Sequence, residues 1–584
     1  MKVIISEATK KNWNRLKVSD NEVKTKLTSG ANKVLSKKHF IPTEYFTYKD
    51  NLTKFTKTVE FLKTLNIETE KIIYNLALNI LSDKEFIKIE NNIIKTDYTN
   101  ILSVLSEFKT STLVEEILNL SLKTEKEEDD LLGLFYQSLS TEGDKNIKGS
   151  YYTPKDITNY IVSGIQEDVL FLDPCCGTGS FLLKAADKIK NPDNLYGFDT
   201  DRLASIIAKI NIIMKYKDKT FIPKIYNINF LEKNIPEKLG VKFDIIGTNP
   251  PWGAKQKKFY KENCSEILSG ESFSCFIVQA KNVLKDGGQA HFVLPESILN
   301  VKVHKDIRSF ILKNFSISEI KLWDNAFKKV LTKVITINLV NKKSINQKIS
   351  IEHNNDIKFV SQEYYKQSKN NNFMIISDDG ITLIKKIYSI PHYTLSDSLW
   401  GLGIVTGDNQ KHLSGYKKSL EKIYTGKDIL PYILKSPKNY IRYNRALFQQ
   451  IAPDEIYRAD EKLIYKFVSK NLVFAYDDTQ ALVLNSANVL IPKVKTHSTK
   501  TVLAFLNSSL FNFLYKSCFN ELKILKGNLL QLPFPKLNNT QKDILEELVN
   551  NYLKIKDEKY LKMIDNEVYK TFNLNKNDID IIKQ

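Results

Sequence analysis

The chain has 584 residues, enough for about three or four domains of roughly 150 residues each. Hydrophobic residues make up 42% of it and can form sizeable cores, but no run of about 20 uncharged apolar residues is present to span a membrane. The apolar start is too short for a secretory signal. Five cysteines without paired spacing or nearby histidines argue against a metal site and indicate a reduced, cytoplasmic environment.

The net charge is +19, and the excess of lysine and arginine falls in residues 149–343 and 344–584, whereas residues 1–148 are almost neutral. Basic side chains neutralise phosphates, so nucleic acid is a candidate partner for the last two regions. The chain is also rich in Lys, Asn and Ile, a composition that an AT-rich genome produces without any DNA-binding surface. Charge alone therefore does not identify the partner.

Residues 1–148 are predicted to be mostly helical, because apolar residues recur at helical spacing in 59–65 and 72–78. The acidic run from Glu125 to Asp130 precedes a further apolar stretch, and carboxylates suit the positive end of a helix dipole. We interpret this run as a solvated helix start. The region shows no nuclease motif and is interpreted as a structural or DNA-supporting domain.

The sequence Gly-Ser-Tyr-Tyr-Thr-Pro at 149–154 follows a polar, turn-like stretch. Thr153 is predicted to cap a helix whose first residue is Pro154 and which continues through 155–165. Unpaired N–H groups and a hydroxyl at a helix start suit an incoming carboxylate.

A buried strand at 169–172 is predicted to lead into Asp-Pro-Cys-Cys-Gly-Thr-Gly at 173–179. Glycines there permit a tight turn and close approach of the backbone to a ligand. The turn lacks the third glycine of a dinucleotide-binding loop, and no Lys-Ser/Thr follows, which disfavours a phosphate-binding loop. The next strand, 195–198, ends in Asp199, the usual position of a partner for ribose hydroxyls.

A third predicted strand, 225–228, ends at Asn229 and Phe230, and a fourth, 243–247, leads into Asn249-Pro250-Pro251-Trp252. Two successive prolines remove two N–H donors, so neither strand nor helix can continue. The resulting bend presents an amide, a proline carbonyl and an indole face, which suit an amino group on a flat ring. Successive strand ends thus indicate a site for a nucleoside cofactor without phosphates.

Helices and strands alternate beyond this bend, which predicts a Rossmann-like, doubly wound α/β domain. The predicted elements are a helix at 272–284, a strand at 290–294, a helix at 306–312 and strands at 317–323 and 334–340.

These motifs, in this order, resemble the γ-class (TaqI-like) S-adenosylmethionine-dependent DNA adenine-N6 methyltransferases over 149–343. The resemblance implies that Asp199 binds the cofactor ribose and that Phe230 and Phe276 flank its adenine. Asn229 stands where the family often has an Asp that hydrogen-bonds the cofactor's adenine amino group, and its side-chain carbonyl is expected to accept the same bond. Trp252 replaces the commoner Tyr or Phe. The residues implied to hold the methionine part are Tyr152, Thr153, Asp173, Cys175, Gly177 and Gly179.

Segments at 401–409, 424–429 and 506–508 look like parts of the target-recognition domain of such enzymes, so 344–584 is expected to be a mixed α+β recognition domain. Basic, polar and aromatic clusters at 440–445 and 493–497 suit contacts with phosphates and base edges.

The implied reaction requires the target adenine to be flipped out of double-stranded DNA. Trp252 and Phe327 are expected to sandwich the base, while the Asn249 side-chain carbonyl and the Pro250 backbone carbonyl accept the two N6 hydrogens. Positioning and electrostatics would then supply most of the catalysis, without a covalent intermediate or a metal. Pro174-Cys175 lies in the glycine turn and is not expected to act as the nucleophile of a cytosine-C5 enzyme.

Three other functions compete with adenine-N6 methylation. Cytosine-N4 methylation uses the same chemistry, although those enzymes mostly carry Ser in place of Asn249. Protein glutamine-N5 methyltransferases share the Asn-Pro-Pro motif but are much shorter. A non-catalytic DNA-binding specificity protein on a decayed fold would have no need of Asp173, Asp199 and Asn249. We expect a monomer, either an orphan enzyme or one paired with a separately encoded restriction endonuclease.

Overall fold

The computed structural model describes residues 41, 46, 49–122, 130–139, 153–217, 219–232, 235–253, 267–324, 333–344, 347–416, 418–519 and 523–583. These residues divide into two compact units, one that ends at Phe373 and one that begins at Met374. Within the described ranges, no helix combines the length and apolar character needed to cross a bilayer.

A helical layer opens the first unit and shares one continuous hydrophobic core with the sheet that follows it. This core includes Leu76 and Phe135 from the layer and Phe171 from the first strand of the sheet. The elements of the layer are α1 (Lys49–Thr64), α2 (Thr69–Asp83), β1 (Lys88–Glu90), β2 (Ile93–Lys95), α3 (Thr99–Leu105), α4 (Glu115–Leu118) and α5 (Leu131–Leu139).

Nine strands of the described residues form a single sheet in the order β11-β10-β8-β9-β7-β6-β3-β4-β5. They are β3 (Phe171–Asp173), β4 (Leu195–Phe198), β5 (Lys224–Tyr226), β6 (Phe243–Thr248), β7 (Leu284–Pro295), β8 (Ser316–Trp323), β9 (Val334–Val340), β10 (Lys348–His353) and β11 (Asp356–Ser361).

Strands β3 to β7 run parallel, and β9 lies antiparallel between β7 and β8. From β3 the chain builds the sheet outward through β4 and β5, then returns to the other side of β3 with β6 and β7. The strand order therefore reverses between β3 and β6, and open α/β sheets bind ligands at such a switch point. The doubly wound α/β fold expected from the sequence is confirmed.

Strands β10 and β11 belong to the same sheet, so the expected start of the C-terminal domain at 344 falls before the last two strands of the first unit. The hairpin was not predicted, because the apolar residues of β11 do not all lie on its buried face. Ile357 and Phe359 are each 54% exposed, whereas Val360, directly after Phe359, is buried.

The helices of the sheet region are α6 (Lys155–Val162), α7 (Ser180–Ala185), α8 (Arg202–Lys215), α9 (Ile235–Leu239), α10 (Ser272–Val283), α11 (Lys305–Asn314) and α12 (Gln362–Gln367). The carboxylate of Asp201 caps α8 by accepting from the backbone N–H groups of Leu203 and Ala204 at 3.2 and 3.3 Å. Helix α6 begins at Lys155, with Pro154 rather than Thr153 at its cap position. The predicted capping role of Thr153 was wrong.

In the second unit, the described residues form two four-stranded sheets, β13-β20-β17-β18 and β14-β16-β15-β19, and a separate pair, β12-β21. The strands are β12 (His392–Tyr393), β13 (Leu399–Leu402), β14 (Leu413–Ser414), β15 (Glu421–Tyr424), β16 (Asn439–Ile441), β17 (Lys462–Lys466), β18 (Phe474–Asp477), β19 (Leu482–Val483), β20 (Ala487–Ile491) and β21 (Phe534–Pro535).

Helices of this unit pack around a second core that includes Phe505 and Phe511, and the sheets enclose a third core that includes Ile423 and Tyr457. The mixed α+β character expected of the C-terminal region is thus present. The helices are α13 (Asp378–Ser389), α14 (Asn409–His412), α15 (Asp454–Tyr457), α16 (Thr499–Asn507), α17 (Ser509–Phe519), α18 (Lys526–Leu529), α19 (Asn539–Ile555), α20 (Lys559–Thr571) and α21 (Lys576–Lys583).

Candidate active site

The two strands that flank the switch point are joined at their carboxyl ends by a buried hydrogen bond. The Thr248 hydroxyl, at the end of β6, donates to the Asp173 carboxylate, at the end of β3, at 2.8 Å. The backbone N–H of Cys175 donates to the same carboxylate oxygen at 3.2 Å. Thr248 was not singled out in the sequence, because a threonine at the end of an apolar strand gives no distinct signal.

Burial controls the ionisation of the groups beneath this turn. Asp173 is 1% exposed, and this burial raises the pKa of its carboxyl group to about 7, against the opposing effect of the hydrogen bonds from Thr248 and Cys175. Burial also raises the pKa of the Cys175 thiol well above its usual range. The Cys175 sulfur lies 2.9 Å from the Thr248 hydroxyl oxygen, inside the turn. A protonated thiol in this position is a poor nucleophile.

The glycine turn is hydrogen-bonded to the acid that ends the next strand. One oxygen of Asp199 accepts from the Gly177 backbone N–H, and the other accepts from the Asp201 backbone N–H, both at 2.8 Å. Gly179 adopts φ +96° as the residue before α7, a conformation that disfavours any side chain. The turn and Asp199 are thus fixed relative to each other.

Phe230, shortly after β5, and Phe276, on α10, have parallel aromatic rings. The ring centroids of Phe230 and Phe276 are 6.3 Å apart and their planes differ by 6°. A flat ring placed between them would need a separation of about 7 Å, twice the usual carbon–carbon contact distance. The side-chain oxygen of Asn229 accepts from the Leu231 backbone N–H at 3.0 Å, so it shapes the turn that carries Phe230.

The Asn-Pro-Pro-Trp bend follows β6, beside the glycine turn. The Asn249 side-chain nitrogen donates to the hydroxyl oxygen of Thr153 at 3.0 Å, and Thr153 is only 4% exposed. An amide whose nitrogen is held in this way presents its oxygen on the opposite side. Thr153 therefore contacts the bend, and its hydroxyl is not used as a helix cap.

Further contacts hold the rest of the bend. The Ser272 hydroxyl donates to the Pro251 carbonyl, and the Gly253 N–H donates to the Glu271 carboxylate at 3.2 Å. The indole N–H of Trp252 donates to the Val293 carbonyl on the neighbouring strand β7 at 3.2 Å, and the side chain is half-buried. None of the described residues donates a hydrogen bond to the Pro250 carbonyl.

The structure brings most of the predicted residues to one edge of the sheet, where the parallel strands end. Asp173 ends β3, Asp199 follows β4 and Asn249 follows β6, and β3 lies between the other two strands. Tyr152 and Phe327 lie outside the described residues.

Two residues of the helical layer, Asp130 and Tyr136, also reach this edge, although no sequence pattern predicted them. Asp130 belongs to the run that was interpreted as solvated, yet it is 4% exposed and bonded to Thr178. Tyr136 donates to the Asp201 carboxylate at 2.8 Å. The sequence of an acidic run does not show which of its members is buried, so the burial of Asp130 is known only from the structure.

The C-terminal clusters differ in their surroundings. Arg442 and Arg445 are both exposed, and Arg445 pairs with Asp454 at 2.5 Å. His497 packs its ring against Phe505 and Phe534, and burial lowers its pKa to about 4. His497 thus packs partly into the core, whereas Lys493 and Lys495 of the same cluster are exposed, and contact of this cluster with DNA stays a prediction.

Two family models match the chain. The N-6 DNA Methylase model matches residues 127–396, and the TaqI-like C-terminal specificity domain model matches residues 421–534. The first match includes the glycine turn, the bend and helix α5.

Named relatives agree with these models. The chain is 30% identical over 371 residues to the type II methyltransferase M.VspI of Vibrio sp. (strain 343). The matched region covers 61% of this chain and 90% of that protein. It is 26% identical over 211 residues to the methylase subunit of the type I restriction enzyme EcoEI of Escherichia coli, covering 33% of this chain and 42% of the subunit.

The fold is similar to that of the type IIL restriction-modification enzyme MmeI, solved in complex with DNA, with a TM-score of 0.59 and 13% identity over 94% of this chain and 98% of that one. Both the fold and the family are those of S-adenosylmethionine-dependent methyltransferases. The chain therefore belongs to the N-6 DNA methylase family and is a γ-class DNA adenine-N6 methyltransferase of the restriction-modification type.

Proposed function

We propose that the site transfers a methyl group from S-adenosylmethionine to the N6 amino group of an adenine flipped out of double-stranded DNA. The observation that carries this proposal is the hydrogen bond from Asn249 to Thr153, which orients the amide at the switch point of the sheet. The side-chain oxygen of Asn249 is then turned to the side where an amino group can donate to it.

The residues around the glycine turn fit the proposed cofactor. The parallel rings of Phe230 and Phe276 are close to the spacing that a purine between them requires. A side chain added at Gly177 would meet nothing within 4 Å, so there is open space beside the turn. In this proposal Asp199, which accepts from the backbone N–H groups of Gly177 and Asp201, also accepts from the ribose hydroxyls, because a carboxylate oxygen can accept more than one hydrogen bond.

The remaining predicted contacts complete the cofactor side of the proposal. When bound, S-adenosylmethionine supplies a methyl group on a positively charged sulfur. Thr153 and the turn from Asp173 to Gly179 hold the methionine part, together with Tyr152. Because Asn229 already binds the Leu231 N–H, its main role is to place Phe230 beside the purine.

The bend holds the target base. The adenine N6 lone pair is delocalised into the ring, so the amine is a weak nucleophile. Asn249 and Pro250 each accept one N6 hydrogen through a carbonyl oxygen, which favours a pyramidal nitrogen with its lone pair directed at the methyl group. Trp252 stacks on the flipped base with Phe327 on the other face, offsetting the cost of unstacking by about 1–3 kcal/mol per contact.

The second unit reads the DNA sequence in this proposal. It contains the residues that match the specificity-domain model, and it carries exposed basic side chains such as Arg442. Phosphate contacts from such residues position the protein, and base-edge contacts select the site. We propose a cytoplasmic monomer that acts on host DNA, protecting it where a separately encoded restriction endonuclease is present.

Sequencing that detects modified bases tests this function directly. Host cells without adenine methylation would express either the wild-type chain or the Asn249→Ala variant. We expect N6-methyladenine at one recurring sequence with the wild type and none with the variant. N4-methylcytosine at the recurring sequence would instead identify the cytosine-N4 alternative. No modified base together with no cofactor binding would indicate a non-catalytic DNA-binding protein.

A further inference from the structure

Helix α5 of the N-terminal layer makes direct polar contacts with the elements that surround the glycine turn. It packs against α8, and its first turn lies against Thr178, the residue between the two glycines of the turn. These contacts are specific hydrogen bonds among buried groups, and not only the apolar packing that anchors most helices.

The first contact is a buried carboxylate that bonds three partners. One oxygen of Asp130 accepts from the Thr178 hydroxyl at 2.5 Å, and the other accepts from the Asn211 amide at 2.6 Å and from the Gly133 N–H at 2.9 Å. Asn211 also donates to the Thr178 backbone carbonyl at 3.0 Å. Side chain and main chain of Thr178 are therefore both fixed from outside the turn.

The close approach of α5 depends on a glycine. A side-chain carbon added at Gly133 would lie 2.3 Å from an Asp130 oxygen and 2.5 Å from the Thr178 hydroxyl oxygen. Such distances are impossible without displacing the helix or the turn. The absence of a side chain at Gly133 thus lets the buried carboxylate reach Thr178.

The second contact leads to the ribose-binding acid. The Tyr136 hydroxyl donates to one oxygen of Asp201 at 2.8 Å, and the Asp201 N–H donates to Asp199 at 2.8 Å. Asp199 in turn accepts from the Gly177 N–H. Burial, reinforced by the nearby Asp201, raises the pKa of Tyr136, so the hydroxyl remains a donor at neutral pH. Asp201 thus connects Tyr136 to Asp199, since its carboxylate accepts the first hydrogen bond and its backbone N–H donates the second.

We propose that Asp130 and Tyr136 of the N-terminal layer are positioning residues for the cofactor, holding the glycine turn and Asp199 in the geometry that binds S-adenosylmethionine. This inference rests on the proposed function, because it takes the turn and Asp199 as the cofactor site. It gives the N-terminal layer a role in cofactor affinity. By linkage, cofactor binding must also stabilise α5 against local opening.

Equilibrium binding of S-adenosylmethionine to the full chain without DNA provides the test. Tyr136→Phe removes one hydroxyl that donates to a carboxylate and should raise the dissociation constant about 10-fold. The kcat at saturating cofactor should change less than about twofold. Tyr74→Phe is the matched control, since Tyr74 is a buried tyrosine of the same layer that packs on Phe108 away from the turn. It should leave the dissociation constant unchanged.

A second pair of variants separates positioning from a loss of folding. Asp130→Ala should weaken cofactor binding, and Asp130→Asn should restore most of it, because an amide can accept from Asn211 and donate to the Thr178 oxygen. In the wild type, hydrogen exchange of the α5 amides should slow when the cofactor is added. The Tyr136→Phe variant should show a smaller slowing.

Failure of this inference differs from failure of the proposed function. If the wild type binds the cofactor and Asp199→Ala weakens binding while Tyr136→Phe does not, the positioning role is overturned and the cofactor site stands. Equal shifts with Tyr136→Phe and Tyr74→Phe would overturn the role as well, since they would report a general loss of packing. If the wild type does not bind the cofactor, the proposed function itself is wrong.

Discussion

Asn249 donates its side-chain N–H to the hydroxyl oxygen of Thr153 at 3.0 Å, across 96 residues of sequence. The bond fixes the orientation of the amide, because nitrogen and oxygen lie on opposite sides of the group and the nitrogen faces Thr153. A residue before the first helix of the sheet region thus sets the orientation of a side chain after the fourth parallel strand.

Replacing Thr153 should therefore affect the chemical step. Thr153→Val keeps the shape but removes the acceptor, and we expect kcat at saturating cofactor and DNA to fall about 10-fold, the equivalent of one hydrogen bond of about 1.4 kcal/mol. Thr153→Ser keeps the hydroxyl and should retain most of the activity. If Thr153→Val changed only the cofactor dissociation constant, Thr153 would act on the cofactor alone.

Removing the amide itself should have a larger effect. We expect Asn249→Ala to lower kcat by about 10²–10³-fold, the range seen when one transition-state hydrogen bond is lost, while cofactor binding stays within about threefold. Single-turnover methylation and equilibrium binding measure the two quantities. Asn282→Ala, an exposed asparagine on α10, is the control and should leave both unchanged. Equal activity of the two variants would contradict the proposed role of Asn249.

Trp252 should stabilise the flipped base by stacking. We expect Trp252→Ala to weaken binding of site-containing DNA by about 1–3 kcal/mol, and Trp252→Phe to keep most of the affinity. DNA with 2-aminopurine at the target position reports flipping through its fluorescence, which should rise with the wild type and with Trp252→Phe. Similar fluorescence with Trp252→Ala would show that stacking on Trp252 is not needed for flipping.

The raised pKa of Asp173 predicts a pH-dependent stability. The unfolded carboxyl group has a pKa of about 3.9, whereas burial raises the folded pKa to about 7. Between these values the folded state binds more protons than the unfolded state, so the free energy of unfolding decreases as pH rises through this window. Asp173→Asn removes the titrating group.

From pH 4 to pH 8, the free energy of unfolding of Asp173→Asn should therefore rise relative to that of the wild type. Thermal unfolding without cofactor at several pH values measures it. The same substitution at the exposed Asp168 serves as the control. A pH-independent difference at Asp173 would mean that this carboxyl group does not titrate in the window.

A buried ion pair in the second unit should be costly to break. Lys462 and Asp477 are 2.5 Å apart with side chains 0% and 1% exposed, and Lys462 also donates to the Tyr457 carbonyl. Asp477→Ala leaves a buried charge without its partner and should lower the free energy of unfolding of this unit by about 3–5 kcal/mol. Chemical denaturation measures it.

An exposed pair provides the comparison. Lys542 and Glu546 are one helical turn apart on α19 at 3.9 Å, and Glu546→Ala should cost at most about 0.5 kcal/mol. Similar losses for Glu546→Ala and Asp477→Ala would show that burial of the pair in the second unit does not determine its contribution.

Apolar sequence patterns predicted the bounds of some strands of the nine-stranded sheet correctly. The predicted strands at 195–198 and 334–340 have the observed bounds of β4 and β9, since apolar residues dominate both. The residues at the strand ends were also identified, because Asp, Gly and Pro there break the pattern in recognisable ways. Strands with one solvated face, such as β11, gave no comparable signal.

Partners across long sequence separations could not be predicted. Thr153 matched the rule for a helix cap, yet its hydroxyl accepts from Asn249, a tertiary contact that no local rule anticipates. Asp130 matched the rule for an exposed acidic run, yet it is buried against Thr178. In both cases the short polar side chain can form several different local hydrogen bonds, and the packing of distant segments determines which partner it has.

The position of β9 has a consequence for synthesis of the protein on the ribosome. β9 separates β7 from β8, so the sheet stays divided until residue 340 has emerged from the exit tunnel. At a synthesis rate of about 5–20 residues per second, one edge of β7 stays unpaired for several seconds after the bend that follows β6 has been made. A nascent chain that stalls in that interval would expose β7 as a template for aggregation, and a chaperone that covers this edge would be most useful there.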